Sequence, residues 1–298
     1  MTIINNRYKL VKKLGSGSFG NVYKCLDIEK NTYLAIKVEN KKNEKKRLGY
    51  EIGIYKHLNM NINHKYILLT SNIPKIHWYG SDDNYNYLVL DNLGYSLDTL
   101  FNKSKFKFSL KTIIMLAIDL ISLIETLHNN HILHRDLKPD NILIGTSGKE
   151  HLLYLVDFGL SKKYINDGEH IEPKKNKSLI GSMRYASIRN HKGYEQSRRD
   201  ELESIGYILL YFLKGGNLPW NGLPGSDKTE KCNKILEVKK NTKLIDLCCG
   251  IPDEFRLLIA YSRKLKFDTK PNYQYLKSLF YKLLMNQGYQ YDKKYDWL

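Results

Sequence analysis

The densest chemical signal in the chain is His134-Arg135-Asp136-Leu137-Lys138-Pro139-Asp140-Asn141, followed 16 positions after Asn141 by Asp157-Phe158-Gly159. Transfer of a phosphoryl group needs a carboxylate to orient or deprotonate the attacking hydroxyl. It also needs cations on the phosphate oxygens and oxygen ligands for magnesium, a hard cation. Asp136 and Lys138 supply the first two types as catalytic candidates, and Asn141 and Asp157 supply the metal-ligand types. Singly, Asp157 before a glycine reads as a turn aspartate and Asn141 as a cap or turn asparagine. Their joint spacing is what makes the chemical reading the stronger one.

A second signal is Gly15-Ser16-Gly17-Ser18-Phe19-Gly20, a G-x-G-x-x-G run whose glycines let backbone approach a phosphate closely. A dinucleotide fold would place such a run between a strand and a helix, with an acid about 20 positions on. Glu39 stands near that offset, but Asn21-Val22-Tyr23-Lys24 continues as a strand, which suits a strand-loop-strand cover over ATP phosphates. Lys37, within Ala35-Ile36-Lys37-Val38, would either snorkel to the surface or point into a cleft and hold phosphates. In the second case it pairs with a helix carboxylate, for which Glu51 is the candidate and Glu44 the rival. Every fixed position of the protein-kinase catalytic-loop and metal-loop patterns is then filled in order, and a lysine at 138 matches the serine/threonine form.

These residues need elements to hold them. Tyr8 to Leu14, Val22 to Ile28 and Tyr33 to Val38 read as three antiparallel strands, and Lys75 to Tyr79 and Tyr85 to Asp91 as two more. Between them, after a lysine-rich connection from Asn40 to Arg47, Glu51, Ile54, Tyr55 and Leu58 recur at helical spacing. From about Gly94 the period becomes helical: Ile113, Ala117, Leu120, Ile124 and Leu127 line one helix, and Leu202, Ile205, Leu209 and Phe212 another. A hairpin, Ile142 to Ile144 with Leu152 to Val156, lies between those helices. The expected fold is α+β and bilobal, with a small antiparallel β lobe carrying one main helix and a larger, mostly α lobe.

Composition narrows the partners. Lysine and arginine number 48 against 31 acidic residues, a net charge of +17, which favours nucleic acid, anionic lipid or acidic protein; codon bias with a solvated surface is the plain alternative. Cys25, Cys232, Cys248 and Cys249 form no C-x-x-C pair, which suits neither a disulfide framework nor zinc and points to an intracellular setting. No apolar stretch is long enough to cross a bilayer, so no membrane insertion is expected.

Further residues downstream carry a family resemblance. Gly181-Ser182-Met183-Arg184-Tyr185-Ala186-Ser187-Ile188, the run from Gln196 to Tyr207, and Leu218-Pro219-Trp220-Asn221-Gly222-Leu223 resemble the casein kinase 1 family, and the likeness extends from about Tyr8 to Trp297. It implies ATP and Mg2+ as cofactors, with adenine against a hinge near Asp91 and Leu93 and between Leu14, Val22, Ala35 and Leu143, and Leu90 as gatekeeper. It implies serine or threonine acceptors preceded by acidic or phosphorylated residues. Arg184 matches the main anion contact, and Arg135, Lys162 and Lys177 a second cluster.

The resemblance also implies one catalytic domain over 1–298, with the ATP-binding lobe over about 1–93 and the substrate lobe over about 94–298. Neither a regulatory tail nor an oligomer is expected. Nucleic-acid binding is allowed by the charge but not required, and a non-catalytic scaffold is the rival in a different class. Two departures stand out: an insertion around Asn59 to Asn72, and Asp227 and Glu230 in a loop where the family is more uniformly basic.

Overall fold

The structure is a computed structural model that describes residues 2–17, 20–44, 46–65 and 73–298, leaving aside the side chains of 61–65. The chain divides into two compact units, the first comprising 1–95 with 143–161 and the second 96–142 with 162–298.

In the first unit, β1 (Ile3–Ile4), β2 (Tyr8–Gly17), β3 (Gly20–Asp27), β4 (Thr32–Asn40), β5 (Ile76–Ser81) and β6 (Tyr85–Asp91) form one antiparallel sheet ordered β1-β2-β3-β4-β6-β5. Five of these strands are legible in the sequence. The two-residue β1 is too short to show a period of two and exists because it pairs with Tyr8 and Lys9. One face of the sheet packs Tyr8, Cys25, Leu34, Ile36, Tyr87 and Val89 into a core. The alternation of strand side chains then sends Val22, Ala35 and Lys37 to the other face.

Helix α1 (Leu48–Lys65) buries Ile54, Tyr55 and Leu58, the positions whose spacing announced it. Its start is held by Glu39, fully buried on β4, whose Oε1 accepts the amides of Arg47 (2.7 Å) and Leu48 (3.0 Å). That carboxylate is therefore committed to orphan helix amides, which removes it as a ribose ligand and with it the dinucleotide alternative. Of the segment read as an insertion, residues 59–65 continue α1, and 66–72 lie outside the described residues.

The second unit is helical, as the periodicity requires: α2 (Leu97–Lys103), α3 (Leu110–Asn129), α4 (Ile188–His191), α5 (Arg198–Leu213), α6 (Lys228–Asn241), α7 (Leu244–Leu247), α8 (Asp253–Lys264) and α9 (Tyr273–Asn286). Helix α3 is buried along nearly its whole length and packs on α5 and α9. Ser109 caps α3 through the Thr112 amide, and at the start of α5 the Asp200 carboxylate accepts the Ser197 amide at 2.9 Å. Asp227 is the N-cap of α6, accepting from the amides of Thr229 (2.7 Å) and Glu230 (2.8 Å). Glu230 in turn binds Ser226 and Lys234, so the acids that break the family's basic pattern have a local structural use.

Candidate active site

In the first unit the glycine run covers the end of β2 and the start of β3, in register Gly15 to Val22 and Gly17 to Gly20. A Cβ at Gly20 would lie 2.3 Å from the Val38 carbonyl oxygen, and its φ is +145°, so the sheet itself requires that glycine. At Gly15 and Gly17 a Cβ would meet nothing within 4 Å among the described residues. Packing among the described residues therefore does not require glycine at those two positions. Ser16 donates to Asn21 Oδ1 at 2.8 Å, while Ser18 and Phe19 lie outside the described residues.

Strand register then decides which side chains share the outer face. Val22 pairs with Lys37, Lys37 with Leu88, and Ala35 with Leu90, so Val22, Ala35, Lys37 and Leu90 stand together opposite the packed core. Leu14 sits at the irregular step between Lys13 and Gly15 and is 48% exposed. Beyond β6, the hairpin Ile142–Ile144/Leu153–Leu155 is tied to the hinge by Gly94 N to Ile144 O (2.9 Å), Ile144 N to Tyr95 O (3.0 Å) and Thr146 Oγ1 to Asn92 O (3.1 Å). Leu143 is thereby set beside the segment 92–95 that follows β6. The amide and carbonyl of Leu93 have no hydrogen-bond partner among the described residues, which leaves them available to the edge of a planar heterocycle. The Asp91 carboxylate is already occupied by His77 (2.7 Å) and the Lys75 amide (2.8 Å), so only its main chain remains for a ligand.

Lys37 Nζ lies 2.7 Å from Glu51 Oε2 and 2.8 Å from Asp157 Oδ1. Burial alone would favour the neutral amine, but the two carboxylates outweigh it and hold the Lys37 pKa above its usual value. Burial pushes the Glu51 carboxyl upward, with Lys37 and the Phe158 amide opposing. Glu44 stays exposed in the connection, so Glu51 is the partner. Asp157 adopts a left-handed conformation (φ 67°), and the following Phe158 is buried edge-on against Tyr55 at 4.9 Å. That anchor gives the strained aspartate a fixed direction toward Lys37.

In the second unit the catalytic-loop residues converge on Asp136, which is 8% exposed. Lys138 Nζ lies 3.1 Å from its Oδ2, Ser182 Oγ donates to its Oδ1 at 2.8 Å, and Asn141 Nδ2 donates to its carbonyl at 2.9 Å. Arg135 is left-handed (φ 65°), and its amide donates to Glu201 Oε1 at 2.7 Å. Glu201 Oε2 lies 2.7 Å from Nε2 of the buried His128, whose Nδ1 lies 2.6 Å from the Tyr273 hydroxyl. Burial lowers the His128 pKa, and a neutral ring donating to Glu201 and accepting from Tyr273 satisfies both bonds. Gly181 presses on the same loop: its φ is +93°, and a Cβ there would lie 2.3 Å from the Arg135 carbonyl oxygen.

A carboxylate oriented by a hydroxyl and a lysine, in the second unit, and a lysine bridged between two acids, in the first, are each equipment of the kind that phosphoryl transfer uses. Residues 8–280 of the 298 match the family described as the protein kinase domain. The chain belongs to the protein kinase family. It is a transferase that moves phosphate onto protein substrates, and protein kinase domains use ATP with a divalent metal. Its antiparallel sheet and helical unit are the α+β architecture expected of that fold.

The four cations expected to bind substrate anions are less uniform in this kinase than the sequence implies. Arg184 is exposed, with its guanidinium over the rings of Tyr185 (5.7 Å) and Tyr211 (5.2 Å). Lys162 and Lys177 both face the buried Glu195, at 3.1 and 3.8 Å, and are partly neutralised there. Arg135 is half-buried in the catalytic loop. Sequence reasoning did not single out Gly181, Ser182, Glu195 or Glu201 for these contacts. The local signal was that Gly181, Ser182 and Glu201 fall within segments resembling a known family.

Among the described residues, no helix is long and apolar enough to cross a membrane.

Proposed function

We propose that this kinase is a serine/threonine protein kinase of the casein kinase 1 type, transferring the γ-phosphate of ATP to acidic or already phosphorylated proteins. The observation that carries the acceptor class is Lys138, whose ammonium lies 3.1 Å from Asp136 Oδ2. In that reading Asp136 orients the acceptor hydroxyl and takes its proton, while Lys138 and Lys37 offset phosphate charge. The glycine turn covers the phosphates, and Leu14, Val22, Ala35, Leu90, Leu93 and Leu143 surround the adenine.

Asn141 and Asp157 would hold Mg2+. Their donors are oxygens, as a hard cation prefers, and the Asn141 amide nitrogen is already used by the Asp136 carbonyl, leaving its oxygen for the ion. No group of three or more His, Cys, Asp or Glu gathers for a metal among the described residues, so nucleotide phosphates would complete its coordination. When bound, the ion supplies charge to the phosphate oxygens. Arg184, with Lys162, Lys177 and Arg135, would favour an anionic residue before the acceptor. We further propose one catalytic domain acting as a monomer inside the cell.

Asp136→Asn tests the core of the proposal. Phosphate transfer to casein is expected to fall by about a thousandfold or more with the melting temperature preserved. Wild-type turnover in that variant would sink the assignment. A peptide library carrying serine, threonine or tyrosine acceptors, with or without a phosphoserine three residues before them, tests the finer claims. Preference for tyrosine, or equal rates with and without the phosphoserine, would count against them.

A further inference from the structure

Lys239 belongs to α6, outside every motif discussed above, yet it is 1% exposed. A buried lysine is rare and costly, so what its nitrogen touches matters. Nζ donates to the carbonyl oxygens of Met183 (2.9 Å) and Ala186 (2.6 Å) and makes no ion pair among the described residues. The rings of Tyr207 and Trp220 stand 4.7 and 5.0 Å away and wall it in. Trp220 Nε1 donates to the carbonyl of Arg184 at 2.8 Å, and His191 Nε2 reaches the Met183 carbonyl at 3.0 Å. Three carbonyls in a run of four residues are therefore pinned from α4, α6 and the Trp220 loop.

The pinned run carries the side chain that meets the substrate anion in the proposed function, and it directly follows a residue that orients Asp136. Ser182, one residue before it, reaches Asp136, and Arg184 lies in its middle. Met183 to Ala186 form no regular strand or helix, so neighbouring hydrogen bonds of secondary structure cannot fix where the guanidinium points. Burial is the largest influence on the Lys239 ammonium and lowers its pKa, with Glu203 opposing. Charged or neutral, the nitrogen carries an N–H donor for each of the two carbonyls.

We infer that Lys239 and Trp220 form a carbonyl clamp that positions Arg184 for the substrate anion, making Lys239 a positioning residue for specificity. The inference rests on the reading of Arg184 as the anion contact. The clamp acts through Arg184, so its loss should appear in how the kinase ranks substrates more than in whether it turns over.

The test compares Lys239→Met, Lys239→Gln and Arg184→Ala with the wild type on paired peptides, with and without a phosphoserine three residues before the acceptor. Lys239→Met keeps the apolar stem and removes both donors. The primed-over-unprimed ratio of kcat/KM should fall by about tenfold, chiefly through KM, the scale of one lost hydrogen bond to a charged group. The Gln variant, which retains an NH2, should recover part of the ratio. If Lys239→Met does not fold, Trp220→Phe, which removes only the donor to Arg184, must show the same selective loss. Arg184→Ala losing the preference while folded Lys239→Met or Trp220→Phe keeps it would overturn the clamp alone. An equal loss of kcat on both peptides would overturn it too, because that is what a merely structural lysine does. A wild type with no preference, or an Arg184→Ala that keeps it, would overturn the reading of Arg184 along with the clamp.

Discussion

The hydroxyl of Ser182 donates a 2.8 Å hydrogen bond to Oδ1 of Asp136, while Lys138 lies 3.1 Å from Oδ2. Both oxygens of the carboxylate are thus oriented before any substrate arrives, one from the catalytic loop and one from a residue 46 positions later. Removing the hydroxyl frees the carboxylate to rotate without changing its charge. Ser182→Ala is expected to lower kcat by about tenfold, with KM for ATP unchanged, in steady-state assays on casein. An unchanged kcat would mean that Lys138 alone is enough to orient Asp136.

Gly17 and Gly20, at the facing ends of β2 and β3, should separate cleanly. Gly20→Ala must push its Cβ against the Val38 carbonyl and holds φ at +145°, so it is expected to cost about 2–3 kcal/mol of folding stability, read as a lower melting temperature. Gly17→Ala meets nothing within 4 Å among the described residues, so its melting temperature should stay within about 1 °C of wild type while KM for ATP rises about tenfold. Equal thermal destabilisation by both would contradict the view that Gly17 is kept for the nucleotide.

Asp227 offers a test of structure against specificity. It caps α6 through two backbone amides, so Asp227→Ala should cost about 1 kcal/mol and Asp227→Asn much less, measured by urea denaturation. Neither substitution should raise the preference for acidic peptides. A marked rise in both would show that the carboxylate repels substrate in addition to capping the helix.

His191 makes stability depend on pH. Burial first, and then the neighbouring Lys239, push its pKa down from 6.5 to about 4; Cys232 Sγ lies 3.2 Å from Nδ1 and the Met183 carbonyl 3.0 Å from Nε2. The unfolded chain takes up a proton near pH 6.5 that the folded chain refuses until about pH 4, so this contribution is complete above pH 6.5 and is lost as pH falls through that window. The loss amounts to about 3 kcal/mol. His191→Gln should flatten the curve of stability against pH across the same window. An identical slope in wild type and variant would contradict a neutral buried His191.

Much of the working surface was readable in the linear chain because phosphoryl chemistry needs several groups on one tight loop. His134 to Asn141 puts three of them within eight residues, and Asp157-Phe158-Gly159 follows at a set spacing. Periodicity exposed the sheet and the long helices for a similar reason: a face that packs must repeat apolar residues at the period of its own backbone. Local pattern likewise marked Gly15 to Gly20 as a turn between strands.

What the linear chain left open were choices among partners of the same chemical type. Lys37 could have paired with Glu44 or Glu51, and only folding brought it to Glu51 and to Asp157, 120 positions away. Glu39 stood at the offset of a ribose ligand and became a buried helix cap. Ser182, Gly181 and Glu201 carry no local mark of their contacts with the catalytic loop, and Lys239 resembles any other lysine on a charged helix. The types of group and their order along the chain belong to the sequence. Which group faces which was decided by packing, because a carboxylate or lysine is interchangeable with its neighbours until burial removes water and leaves one partner within reach.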